Sequence, residues 1–164
     1  MDLSLKGMRA LVCGSSQGIG KEIAIELANE GVEVLLIARN EEKLNSVLNE
    51  LSKKNNQNHS YIVADFENES DLKNKIEKFT SDNKIKIDIL INNSGGPPPG
   101  KITDAKISDF EKYMKMHLHC SHLLSQLFLP NMKKNRYGRI INIISISVKS
   151  CLLYTSDAAD DVIS

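Results

Sequence analysis

Cys13-Gly14-Ser15-Ser16-Gln17-Gly18-Ile19-Gly20 closes the first apolar run of the chain and opens its first amphipathic stretch. The run before it, Met8-Arg9-Ala10-Leu11-Val12-Cys13, has the length and composition of a buried strand. The stretch after it puts Ile19, Ile23, Ala24, Leu27 and Ala28 on one helical face between residues 18 and 30, with Gly31 as its stop. Glycines at a strand-to-helix turn have a physical use. A residue without Cβ takes positive φ and lets backbone come close to a bulky anion. The free N–H groups and positive dipole end of the next helix point at that anion. Gly20 lets the helix pack tightly on the strand. The spacing is G-x-x-x-G-x-G rather than G-x-G-x-x-G. Residues Gly14, Ser15, Ser16, Gln17, Gly18, Ile19 and Gly20 are therefore the candidate site for a diphosphate; a glycine-rich turn without ligand is the alternative.

Outward from this turn, short apolar runs alternate with amphipathic stretches. Strands are expected at 32–38, 61–64, 87–91 and 139–144. Asn40 is placed to cap a helix to about residue 51, and Asn68 one through Phe79. Residues 53–60 are polar and suggest a loop, and Gly95 to Gly100 form a Gly/Pro loop. Ser108 with Glu111 makes a capping box for a long helix running towards Leu129, and Pro130 should end or kink it. Strands this apolar on both faces belong in a parallel sheet covered by helices. Regular strand–helix alternation makes that a doubly wound α/β fold.

At 164 residues one domain with a real core is expected. The 21 basic residues balance 21 acidic ones, so neither nucleic acid nor an anionic membrane is suggested as partner. Cys13, Cys120 and Cys151 are scattered without a C-x-x-C, which argues for a reducing compartment and against disulfides or zinc. Met1-Asp2-Leu3-Ser4 starts no apolar signal region, and no apolar run approaches membrane-spanning length. A cytoplasmic location is the expectation. His119 and His122 share a helical face while His117 and His119 point apart, and no carboxylate completes the set, so no metal site is expected. Cys13 is expected as a small buried apolar residue rather than a reactive thiol.

Four ordered motifs make the pattern specific. They are the G-x-x-x-G-I-G turn, Asp65-Phe66 at the end of the third strand, Asn92-Asn93-Ser94-Gly95 after the fourth, and Gly138-Arg139-Ile140-Ile141-Asn142-Ile143-Ile144-Ser145. Together, over residues 5–149, they resemble the short-chain dehydrogenase/reductase family. The resemblance implies a Rossmann-like sheet ordered 3-2-1-4-5 that holds a nicotinamide dinucleotide. It implies that Asp65, with Phe66, contacts adenine and that Asn92, Asn93, Ser94 and Gly95 stand for the family's N-N-A-G. It also implies that Ser145 is the catalytic serine that orients the substrate oxygen. Each has a plainer alternative: Asp65 as a helix cap, Asn92 and Asn93 as loop ties, Ser145 as a strand-end serine bonded to backbone. At the end of the second strand an acid would accept from the ribose hydroxyls, but this chain has Arg39 and Asn40. A guanidinium there suits a 2′-phosphate, so NADP(H) is favoured over NAD(H). A solvated surface arginine is the alternative for Arg39, and Ser15 and Ser16 are further candidate phosphate donors.

The resemblance implies an oxidoreductase moving hydride between nicotinamide C4 and a small carbonyl or secondary alcohol, with 3-oxoacyl-thioester reductases as the nearest substrate class. The family's proton donor is a tyrosine whose pKa a lysine four residues later lowers. No Tyr-x-x-x-Lys occurs in this sequence, and His117 stands where the family has an asparagine. From Cys151 the pattern is lost, and Cys151 to Asp160 looks like translated sequencing adapter. The expectation is an incomplete family domain over 1–150, truncated after the fifth strand, an artefactual or disordered tail over 151–164, and a fragment inactive as written. A non-catalytic dinucleotide-binding or interaction protein is the alternative. In the family the long helix commonly packs between subunits. Leu118, Leu123, Leu124 and Leu127 are candidates for a homo-oligomer contact through residues 108–129, or simply for covering the sheet.

Overall fold

Side chains of β1 (Arg9–Cys13) point alternately to the two faces of a sheet, and helices cover both. In this computed structural model, which describes residues 3–83, 85–96 and 102–144, β1 is the centre of five strands ordered β3-β2-β1-β4-β5. β2 (Glu33–Ala38), β3 (Ser60–Val63), β4 (Ile89–Asn92) and β5 (Arg139–Asn142) pair in parallel, with Leu11 opposite both Leu35 and Leu90. This is the doubly wound class expected from the strand–helix alternation and the sheet order implied by the family resemblance.

On one face Ala10, Val12, Leu36 and Ile91 meet α1 (Gly18–Asn29) and α2 (Glu41–Glu50) through Ala24, Ala28, Leu44 and Val47. On the other, Leu11, Cys13, Ile37 and Leu90 meet α3 (Glu69–Asp82) through Leu72 and Ile76. The same face receives the segment after β4. That segment is a 3-10 turn (Ile102–Asp104), α4 (Ile107–Met114), a π-helical turn (Lys115–His119) and α5 (Cys120–Lys134). Met116, Cys120, Leu124, Phe128 and Met132 recur every four residues and are buried against the sheet.

One expectation for this segment needs correction, and two alternatives left open by the sequence are narrowed. The Ser108–Glu111 capping box is not formed. Asp109 N–H donates to the Lys106 carbonyl at 3.0 Å, so the helix starts earlier, with Lys106 as N-cap and no side-chain cap. Pro130 does not end the helix, which continues to Lys134. Its missing N–H frees the Gln126 carbonyl, and both residues lie on the exposed side, where water can take the bond. Finally, Leu124 is fully buried, and Leu123 and Leu127 pack against the sheet core. Of the four candidate leucines Leu118 is exposed, and with Ile107, Phe110 and Met114 it forms a stripe of helical spacing, while Leu129 is exposed further along.

The polar stretch at 53–60 is a loop up to Ser60, which opens β3, but two of its side chains turn into the interior. Gln57 and His59 are buried. Gln57 Nε2 donates to the Ala28 carbonyl at 2.6 Å, tying the stretch to α1. Val34 N–H faces the β3 side, but β3 pairing begins one residue later, at Leu35 and Ser60. His59 Nδ1 accepts that N–H at 3.0 Å, which leaves Nε2 to donate to the Ser52 carbonyl at 2.8 Å. The imidazole thus completes the β2–β3 ladder. A His59→Ala substitution orphans a buried backbone donor, so it should cost about 1–3 kcal/mol. The check is a lower midpoint of urea unfolding at unchanged slope.

Candidate functional site

At the end of β1 the Cys13 and Gly14 carbonyls both accept from Asn93 Nδ2, at 3.2 and 3.4 Å. Asn93 follows β4 directly, so this amide ties the turn to the neighbouring strand. Gly14 and Gly18 both take left-handed φ, +58° and +57°. A Cβ on Gly14 would stand 2.8 Å from Asn93 Nδ2, and one on Gly20 would overlap the Gly14 carbonyl. Gly14 and Gly20 are thus needed for internal closeness of strand, helix and Asn93. Gly18 differs: a Cβ there would meet nothing within 4 Å, so its glycine answers to the backbone angle under an open face.

That open face is the start of α1. The N-caps of α2 and α3 are filled, because Asn40 Oδ1 accepts from Lys43 N–H and Asn68 Oδ1 from Asp71 N–H. Gln17, the N-cap of α1, makes no such bond; its Oε1 accepts from Lys43 Nζ at 2.7 Å instead. Gln17, Gly18 and Ile19 are exposed and Ser16 half-buried. A helix beginning without a side-chain cap, beneath glycines and open space, fits the diphosphate of a dinucleotide. Ser15 is committed elsewhere. It is buried, and its hydroxyl accepts from Ile37 N–H at 2.9 Å, extending the β1–β2 ladder. Lys43, close to this mouth, was not singled out from the sequence; its spacing from Asn40 on α2 was the available signal.

The residues expected around adenosine lie at the ends of β2 and β3. Arg39 is largely exposed, its guanidinium 3.5 Å from Glu67 Oε1. Asp65 Oδ1 accepts from Glu67 N–H at 3.0 Å in a tight turn, and Asn68 rather than Asp65 caps α3. Phe66 belongs to the core, and its carbonyl accepts the Cys120 thiol at 3.2 Å. Burial pushes the Cys120 thiol up to about 11, and burial raises Cys13 well above the usual thiol range. Both are poor nucleophiles near neutral pH.

A cleft of about 630 Å³ opens beyond the ends of β4 and β5. Asn92, Asn93 and Ser94 line it from β4, Asn142 to Ile144 from β5, and His117, Leu118, Ser121 and His122 from the helical segment. Ser94 Oγ lies 2.7 Å from His117 Nδ1, and the Tyr113 ring is 6.2 Å from the imidazole. Ser94 and His117, each read from the sequence as a departure from the family pattern, are thus each other's partner. The π-helical turn that carries His117 widens the helix at this point, a feature frequent at functional sites. Asn92 Nδ2 donates to Asn142 Oδ1 at 2.8 Å, while the buried Asn92 Oδ1 has no partner among the described residues. The remaining histidines diverge: His119 Nδ1 contacts Glu69 at 3.1 Å and His122 faces the cleft. Gly95 is described but Ser145 and the tail over 151–164 lie outside the described residues.

The glycine geometry sets an order of costs. Gly20→Ala overpacks a closed contact and should lose about 1–3 kcal/mol. Gly18→Ala meets only backbone strain and should lose about 1 kcal/mol. Equilibrium unfolding of the two variants checks the order; Gly18→Ala as the more damaging change would contradict this account.

Known proteins place these features in context. The family model described as short chain dehydrogenase matches residues 8–154, past residue 150 where the family domain was expected to stop. The chain is 34% identical over 149 residues to the 7alpha-hydroxysteroid dehydrogenase of Escherichia coli (strain K12), covering 91% of this chain and 57% of the relative. To the 3-oxoacyl-[acyl-carrier-protein] reductase of Rickettsia felis it is 35% identical over 144 residues, covering 88% and 56%. L-Sorbose reductase from Gluconobacter frateurii, solved with NADPH and L-sorbose, superposes with a TM-score of 0.84 at 28% identity, over 94% of this chain and 58% of that one. The chain spans a little over half the length of these relatives. With its glycine turn, its Asn92-Asn93 tie and its sheet order, the chain belongs to the short-chain dehydrogenase family.

Proposed function

We propose that the chain binds a nicotinamide dinucleotide across the C-terminal ends of its strands, NADP(H) in preference to NAD(H). The protein it represents would then transfer hydride between nicotinamide C4 and a carbonyl or secondary alcohol. The observation that carries this reading is the uncapped start of α1 beneath Gly14, Gly18 and Gly20. Backbone N–H groups there hold the diphosphate, with Ser16, Gln17 and Ile19 around it. Arg39 and Asn40 take the ribose side. Asp65 and Phe66 flank adenine, and Asn92, Asn93, Ser94 and Gly95 stand along the nicotinamide half. When bound, the cofactor supplies or accepts the hydride. Ser145 would orient the substrate oxygen. A 3-oxoacyl thioester is the favoured substrate class, supported by the likeness to 3-oxoacyl reductases.

The chain's own part in the cleft is positional. Asn93 holds the turn shut, and the Ser94–His117 pair puts a group able to carry a proton beside the strand ends. The exposed stripe Ile107, Phe110, Met114 and Leu118 is the surface we assign to a homo-oligomer contact. Among the described residues no helix is long and apolar enough to cross a membrane, and the proposed place of action is the cytoplasm. Nucleic acid and membrane are not proposed as partners. One observation favours a second reading, a non-catalytic dinucleotide-binding protein of the same fold: the sequence contains no Tyr-x-x-x-Lys. For the chain as written, binding rather than turnover is the expected activity. Measurable NADPH-dependent carbonyl reduction by this chain would contradict that.

Fluorescence titration tests the cofactor. The purified chain should bind NADPH more tightly than NADH, and Arg39→Ala should raise the NADPH Kd about tenfold, the worth of one charged hydrogen bond, with NADH little changed. A folded sample that binds neither dinucleotide would overturn the proposal.

A further inference from the structure

Glu67 follows the Asp65–Phe66 pair and faces two cations from separate elements. Lys112 Nζ, on α4, sits 2.7 Å from its Oε1, and Arg39, at the end of β2, reaches the same oxygen only at 3.5 Å. The first distance is that of a tight charge-assisted bond, and the second is beyond that range. The Arg39 side chain is 61% exposed, so most of its donors face solvent. Asp65 fixes the arrangement from below, since its Oδ1 holds the Glu67 backbone N–H at 3.0 Å.

This geometry matters for an anion arriving at Arg39. A lone carboxylate beside the guanidinium would compete for its donors and repel a phosphate. Glu67 is held below the ordinary carboxylate range, first by the hydrogen bond from Lys112, so it carries its charge at neutral pH. We propose that Lys112 is a specificity-determining residue for the cofactor's 2′-phosphate: it draws the Glu67 carboxylate to itself and leaves the Arg39 guanidinium with only a long contact from one of its nitrogens, the other donors being available to an anion. The proposal rests on the NADP(H) reading above. Lys112 acts through Glu67 and not by touching the phosphate. It is a positioning residue that the first turns of α4 carry to the mouth of a site built by β2 and β3.

A double-mutant cycle separates these roles. Kd values for NADPH and for NADH are measured on wild type, Lys112→Met, Glu67→Gln and the double variant, at low and at high salt. These side chains are partly exposed, so the effects are modest. Lys112→Met should weaken NADPH about three- to fivefold at low salt and less at high salt, with NADH unchanged. Glu67→Gln should bind NADPH at least as well as wild type. The double variant should match Glu67→Gln, because without the carboxylate there is nothing for Lys112 to restrain. A double variant as weak as Lys112→Met would show the lysine acting on the phosphate itself and overturn the proposal. So would a Lys112→Met variant with wild-type affinity, while the wild type keeps its NADPH preference. A wild type without that preference would instead defeat the cofactor reading, and this proposal with it.

Discussion

The Asn93 side chain, with two glycines and the last carbonyls of β1, shares a space too small for any added methyl group. Much else follows from that crowding. The amide donates to the carbonyls where β1 ends, so β1, β4 and the first turn of α1 form one tightly fitted body. The start of α1 can then remain uncapped without fraying, because its position is fixed by packing. A rigid frame with an unspent helix end is what an anion-binding turn needs.

The two halves of the site are held differently. On the phosphate side closeness of backbone does the positioning, and the side chains that might compete are occupied: Ser15 with Ile37, Gln17 with Lys43. On the adenosine side the groups are charged and partly exposed, and balance decides their availability. Arg39, Glu67 and Lys112 come from three elements and share one carboxylate oxygen. Tight packing gives the first half its shape, whereas the second can be tuned by single charges at small cost in stability.

The strands, the glycine turn and both asparagine caps were legible from the sequence because each rests on local signals, whereas the order of the strands came from the family resemblance. Apolar runs set the strands, glycines the turn, and Asn40 and Asn68 the helix starts. What escaped depends on contacts between distant residues. Gln57 and His59 look like loop polarity until β2 leaves Val34 N–H without a strand partner. Ser108 and Glu111 fit a capping box, but the backbone turns at Lys106 first. Leu118, Leu123 and Leu127 could each have served a partner or the sheet, and only packing separates them: Leu118 is exposed while Leu123 and Leu127 lie against the core. The Ser94–His117 and Glu67–Lys112 pairs join different elements, and no spacing rule along one element announces them.

The Asn92–Asn142 bond joins residues that stand directly opposite each other in β4 and β5. Parallel strands have no hairpin to set their alignment, and β5, the last strand on its side of the sheet among the described residues, has a mixed exposure that gives little other guidance. A slip of one residue would turn Ile140 away from the core it packs against and offer Ile141 in its place. The amide pair acts as an alignment key: it pins β5 by side-chain recognition where hydrophobic sorting alone would allow it to slide.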